Sequence, residues 1–459
     1  MQFLFGMCCL LCCLLTAFPA FAASVEDRVR QLEEIVQSQS RIIKEQQEIL
    51  DRLQQQQTAS VPTPPAVTAP QAAVAAPPAP KAETAKASGG LFGSSFMSNP
   101  NISLVVDTNA YASSLSNSEL ANRSIPGFTT RGLENKNNFN LESAELFLFA
   151  PVDPYFNLYA AITANSESTT LEEAYAVTTS LPWGIQAKGG QFKSNFSRLD
   201  AQHPHAWDFT DIALPYRAFM GPEGLGGEKG AQLTLLAPLP FYLLLGGEVL
   251  QGDNDLLFGS DAASGAHAYS LFAKTSVDIG DSTLYGGPYA LFGRTQNTNI
   301  IQTSSPGDTE AIGDSALYGL EAIWKWKFAP RRAFSVQGEY LYLSQNGNLS
   351  NLLAGTSDAY SRSQDGWYIQ AVYQHDRWRF GARGDGLGLF FDRFDISSVN
   401  QNFGSTPWRV SAMAEYNPSE FTRIRLQYTH DESARNGQSN DEVYLQFIFG
   451  IGAHAAHSF

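Results

Sequence analysis

Alternating apolar and polar residues, an orderly succession of tight and long connections, and the want of any apolar run long enough for a spanning helix predict an all-β chain. The expected form is a transmembrane antiparallel β-barrel of about 16 strands over residues 97–459, preceded by a short N-terminal coiled-coil helix. After residue 22 no stretch approaches the ~20 consecutive apolar residues that a membrane-spanning helix requires, so strands must do any spanning.

Period-two segments fall near 102–112, 139–150, 155–164, 171–179, 185–192, 229–237, 241–250, 268–278, 282–292, 316–328, 333–344, 366–374, 377–385, 408–416, 421–429 and 442–450. Short connections such as Val152-Asp153-Pro154, Leu181-Pro182-Trp183, Pro238-Leu239-Pro240 and His375-Asp376 alternate with long ones near 113–138, 193–228, 251–267, 293–315, 345–365, 386–407 and 430–441. The brief 165–170 is the one departure. Tight turns on one rim and long loops on the other are the layout of a bacterial outer-membrane barrel; a soluble sandwich has no reason to sort its loops this way.

The two faces of the strands point the same way. Near 421, Phe421, Ile424, Leu426 and Tyr428 alternate with Arg423, Arg425, Gln427 and Thr429; near 377, Trp378, Phe380 and Ala382 alternate with Arg377, Arg379 and Arg383. A soluble barrel would have to bury those arginines at a large desolvation cost, whereas a water-filled lumen lets them line water. Tyr155, Phe156, Trp183, Phe241, Tyr242, Trp326, Phe328, Phe334, Trp378 and Phe421 gather beside the short turns, as an interfacial girdle would.

Three segments precede the barrel. Residues 1–22 read as a signal peptide, with an apolar run from Phe3 to Phe18 and the small-x-small Ala20-Phe21-Ala22; having no Lys or Arg ahead of the run, the segment reads alternatively as a retained anchor. All four cysteines, Cys8, Cys9, Cys12 and Cys13, lie within it, so the remainder has no thiolate for disulfides or metal. Residues 23–57 carry core candidates from Val25 and Val29 to Leu50 and Leu53 in alternating steps of four and three. That is coiled-coil spacing, read as a parallel homotrimer or as an amphipathic helix packed on another element. Residues 58–96 form a Pro/Ala-rich linker, whose ~30 most proline-rich residues reach on the order of 100 Å if extended.

The formal net charge of −15 argues against nucleic acid as a partner. Arg377, Arg379, Arg383, Arg409, Arg423 and Arg425 fall on neighbouring strands and are expected to line one side of a pore, with Glu145 and Glu321 among the acidic groups on other strands that supply an opposing field, the alternative being that the charges keep the lumen wet and pair with one another. The long connection 193–228 is placed to fold inward as a constriction loop; it holds His203, His205, Trp207, Asp208, Asp211 and Glu223. Imidazole beside carboxylate suits a divalent metal such as Zn2+, so His203 and His205, and separately His454 and His457 in the tail, are metal candidates, the alternative being that they shape the loop or belong to an unliganded tail. No nucleophile is paired with a base at a recognisable spacing, so no enzyme activity and no required cofactor are expected.

Signal peptide, coiled coil, Pro/Ala spacer and a roughly 16-stranded barrel together resemble the trimeric phosphate-selective and related porins, over the whole chain. The run His203-Pro204-His205-Ala206-Trp207-Asp208-Phe209, with Tyr216-Arg217-Ala218-Phe219, Glu223-Gly224-Leu225 and the His454/His457 tail, is similar to outer-membrane proteins labelled zinc-regulated receptors. The first resemblance implies a homotrimeric channel in the outer membrane, in contact with lipid and lipopolysaccharide and inserted by the barrel-assembly machinery, with its coiled coil in the periplasm. The second implies zinc-linked uptake and TonB dependence. Against TonB dependence, no plug domain lies between spacer and first strand, and the barrel is smaller than a 22-stranded transporter. Three functions follow as expectations: a porin-type channel for small hydrophilic solutes or ions, a metal-uptake or metal-binding protein, and a periplasmic tether anchored by a barrel.

Overall fold

An extended segment that alternates every second residue fixes both of its faces at once, and closing such segments into a ring leaves no unpaired edge. The computed structural model describes residues 100–129, 135–259, 265–298 and 309–452. The expected signal peptide, coiled coil, linker and His454/His457 tail lie outside them. The strands run β1 (Asn101–Ser113), β2 (Asn138–Pro151), β3 (Phe156–Ala164), β4 (Thr169–Thr178), β5 (Ile185–Lys193), β6 (Gly227–Leu236), β7 (Tyr242–Leu250), β8 (Ala268–Ile279), β9 (Ser282–Thr298), β10 (Thr309–Ala329), β11 (Arg332–Asn351), β12 (Thr356–His375), β13 (Trp378–Ile396), β14 (Val399–Asn400), β15 (Trp408–Ser419), β16 (Thr422–Asp431) and β17 (Asn440–Gly452). Neighbours pair antiparallel, and β1 pairs with β17 to close the ring. β14 is only the short return arm of β13, which also pairs with β15, so the wall is a closed antiparallel barrel of 16 strands.

Outside, Leu158, Leu233, Leu245, Leu271, Leu320, Phe380, Leu426 and Val443 are exposed as an apolar band, and every girdle residue named above except Phe334 is exposed near the tight turns. With closed backbone pairing and an apolar exterior the barrel meets the conditions for spanning a bilayer with strands. Asn101 lies beside Phe149 and Ser103 beside Gly452, so both ends of the barrel leave at the tight-turn rim. Gly280 takes φ +61° in one of those turns, a left-handed conformation open to glycine at little cost.

Two expected long loops are mostly strand. The stretches 345–365 and 386–407 extend β11, β12 and β13 beyond the apolar band, leaving 352–355 as a tight connection. Beyond the bilayer the outward face has no need to be apolar, so the alternation that marks the lower strands fades; the inward face instead holds Ala311, Leu349, Tyr360 and Phe394 as a small buried cluster.

The segment between β5 and β6 turns inward and supplies the main core. It carries the short helix α2 (Leu214–Phe219), started by Pro215, where a missing N–H is harmless. The helix that precedes it in the chain, α1 (Asn117–Ala121), is capped by Ser116 and lies in the β1–β2 connection. Phe196, Leu199, Trp207, Ile212, Leu214, Phe219 and Met220 pack against Leu250, Phe272, Leu291, Leu317, Leu341 and Leu343 of the wall. The expectation of a wet lumen therefore needs correction on the β7–β11 side, where the inward face carries packed apolar residues between its buried charged ones. Strands such as β10 and β11 carry leucine or tyrosine on both faces, so period two alone does not say which face is wet.

Candidate functional site

The inward segment crosses the lumen and is bound on every side. Near its start, the backbone N–H of Asn195 donates to Glu248 of β7 at 3.0 Å, Lys274 of β8 to the Phe196 carbonyl at 2.6 Å, and the N–H of Arg198 to Glu321 of β10 at 2.8 Å. Lys274 also pairs with Glu321. In the middle, the Tyr216 hydroxyl donates to Glu339 of β11 at 2.6 Å. Glu339 further accepts from Tyr368 at 2.6 Å and Tyr289 at 2.9 Å, so three phenols close on one carboxylate.

The predicted arginines converge on the same segment. Arg379 pairs with Asp208, and with Glu415 at 3.0 Å; Arg383 reaches Asp211 at 2.8 Å; Arg409 spans Asp211 and Asp385, both at 2.9 Å. Three more contacts end on backbone carbonyls: Arg409 on Ile212 at 2.9 Å, Arg423 on His205 at 2.9 Å and Arg425 on Trp207 at 2.8 Å. Five guanidiniums thus face the four carboxylates of Asp208, Asp211, Asp385 and Glu415, and the strip is a near-neutral clamp rather than a bare positive lining. Arg377 takes no part. It lies exposed in the turn before β13, because the strand starts at Trp378, one residue later than the alternation suggests.

Burial alone would raise the carboxyl pKa of Asp211, but Arg383 and Arg409 outweigh it and hold the group well below the usual carboxylate range. Asp208 is likewise lowered against its burial, by Arg379. Trp207 is buried with its indole N–H on the Leu199 carbonyl at 3.1 Å, while Glu223 stays exposed on the segment's surface.

Beside β2 and β4 the predicted histidines meet three glutamates. β4 has a bulge where Ala161 pairs with Glu173 and Ile162 with Leu171, so Glu172 is the extra residue and two consecutive carboxylates turn inward. His203 Nε2 lies 2.9 Å from Glu173 Oε2 in hydrogen-bonding geometry, and Nδ1 lies 3.0 Å from Glu145 Oε2 and 2.9 Å from Glu172 Oε2. Burial favours the neutral ring, but these carboxylates outweigh it and raise the His203 pKa well above its ordinary value. His205 stacks on His203, ring centres 5.7 Å apart, with Nδ1 3.4 Å from Glu145. Glu172 and Glu173 were not singled out from the sequence. Adjacent residues of a regular strand face opposite sides, and nothing in the sequence announces the bulge.

Between the segment and the tight-turn rim lies a recess of about 170 Å³, lined among others by Arg198, Asp208, Tyr285, Lys325 and Arg379.

An uncharacterized protein of Aquifex aeolicus (strain VF5) is 38% identical to this chain over 382 residues, covering 78% of the chain and 80% of the Aquifex protein. The chain belongs to that protein's family. No family model matches the sequence. Among solved structures, the barrel is similar to a loop L8 deletion mutant of OmpT, an outer membrane protein of Vibrio cholerae (TM-score 0.49, 9% identity, 77% of this chain and 99% of that one). It is also similar to the outer membrane channel DcaP of Acinetobacter baumannii (TM-score 0.48, 11% identity, 77% and 97%) and to an anion-selective porin from Comamonas acidovorans (TM-score 0.45, 10% identity, 77% and 99%). The Aquifex relative brings kinship without an assigned activity, so function rests on the geometry above.

Proposed function

We propose that this chain is an outer-membrane channel for small hydrophilic solutes or ions, in which the segment between β5 and β6 is the constriction. One observation carries the reading: a closed barrel with an apolar exterior holds charged groups in its lumen, clamped to an inward-folded segment as well as to one another. Solutes entering from the tight-turn side meet a charged vestibule lined by Arg198, Asp208, Lys325 and Arg379, which suits ionic or dipolar species. Past it, the five guanidiniums are matched by carboxylates, so selectivity by sign is weak. The tight-turn rim is the periplasmic one in this reading, which sends the N-terminal segment into the periplasm.

A second reading, the tether anchored by a barrel, is favoured by the apolar packing of the segment against β7–β11. Reconstitution of the mature protein in planar bilayers separates the two. Discrete conductance steps with a small reversal potential in a salt gradient are expected of the channel; a silent bilayer containing folded protein supports the tether.

A further inference from the structure

The cluster around His203 is built in a way that an ordinary salt bridge does not require. Hydrogen bonding of Nε2 to Glu173 fixes one side of the ring. On the other side Nδ1, in a residue only 7% exposed, is within 3.0 Å of two carboxylate oxygens yet makes a hydrogen bond to neither. Its axis therefore points between Glu145 and Glu172 rather than at one of them. Glu172 Oε2 is itself buried with no hydrogen-bond donor, as is the second oxygen of Glu145, so two carboxylates face one ring nitrogen without donors of their own. Glu145, Glu172 and His203 each bring a ligand atom within 4.8 Å of the others.

We infer that Glu145, Glu172 and His203 form a binding site for a divalent transition metal of the zinc type, with Glu173 holding the imidazole in place. A ligand donating its second ring N–H to a carboxylate is the usual arrangement of a metal-bound histidine, because it fixes tautomer and orientation. A metal about 2.1 Å from nitrogen and oxygen ligands sets neighbouring ligands about 3.0 Å apart at octahedral angles and about 3.4 Å apart at the tetrahedral angles zinc prefers. The two Nδ1 to carboxylate distances meet the first spacing and reach the second by a shift of about half an ångström. One imidazole among carboxylates suits zinc, cobalt or nickel better than magnesium or calcium, which take oxygen alone. The ion replaces the imidazole proton at Nδ1. It joins the inward segment to β2 and β4, strands separate from those of the arginine clamp. His205, expected beside His203 as a ligand, stands instead as a stacked neighbour.

The site stands whether or not the barrel conducts. The test is isothermal titration of the purified, detergent-solubilised full mature chain with zinc, and with cobalt for its visible absorption bands. One saturable site per chain is expected, weakened at least tenfold in His203→Gln and in Glu172→Gln, with His454→Ala/His457→Ala unchanged. Barrel folding of each variant is checked by its mobility on unheated gels. Glu172→Gln keeps the side chain's shape, so it reports on ligation if His203→Gln disturbs folding. Absence of saturable binding, binding unaffected by both lumen substitutions, or binding lost only in the tail variant overturns the inference. Conductance recorded on the same preparations keeps failure of the channel reading separate.

Discussion

Arg425 of β16 donates to the backbone carbonyl of Trp207 at 2.8 Å, while the same guanidinium pairs with Glu415 at 2.7 Å. The residue is fully buried, so one side chain of the wall carries both a charge pair and the anchor of the inward segment. Removing one partner of a buried pair leaves the other uncompensated, which costs about 3–5 kcal/mol. Arg425→Gln should lower the urea midpoint of barrel unfolding, read by loss of the fast-migrating unheated band, and should expose the 194–226 segment to protease in the still-folded barrel. An unchanged midpoint and an intact segment would show that the clamp contributes nothing.

Acid should act on the clamp late. Asp211 has a depressed folded pKa, so its contribution is fully present above its unfolded value of about 3.9 and is lost only as pH falls below that toward the folded value. The stability gap between the wild type and Asp211→Asn is therefore expected to stay constant from pH 8 to about 5 and to shrink only in stronger acid. A gap that closes between pH 7 and 5 would mean that Arg383 and Arg409 do not hold the carboxylate.

Tyr216→Phe removes one of three phenol donors on Glu339 and the only one that comes from the inward segment. Hydrogen bonds to charged groups are worth about 1.5–3 kcal/mol, and a loss in that range is expected in the same unfolding assay. The change should also raise protease sensitivity near α2 more than near the arginine clamp.

Lipid should be the solvent of the outer face. Leu426 is 52% exposed on β16, next to the fully buried Arg425 and Gln427. Leu426→Lys is predicted to destabilise the bilayer-inserted barrel by about 2–4 kcal/mol if it lies near the midplane. A neutral effect there would argue that this face meets water.

Much of this was legible from alternation alone. Phe380 between Arg379 and Gly381, or Leu426 between Arg425 and Gln427, states its own orientation, and the tight turns then order the strands into a ring. What stayed hidden depended on contacts between distant residues. Leu317 and Leu341 face a core that exists only because Leu214 and Phe219 enter the lumen. Tyr360 and Phe394 look like loop residues until β12 and β13 are seen to run past the apolar band. The segment 193–228 and its two histidines could be named in advance, but the partners that define its chemistry, Glu172 above all, sit at a bulge that no spacing rule marks.

The central claim is that residues 194–226 form the constriction of a conducting barrel, and single-channel recording of the wild type beside Asp208→Asn/Asp211→Asn tests it most directly. Loss of both carboxylates removes the charge partners that the segment offers Arg379, Arg383 and Arg409 and leaves Arg383 and Arg409 held to it by backbone carbonyls alone, so the double variant should show larger conductance steps and a stronger preference for anions than the wild type. Equal step size and equal selectivity in both proteins, or silence from both while folded, would contradict it.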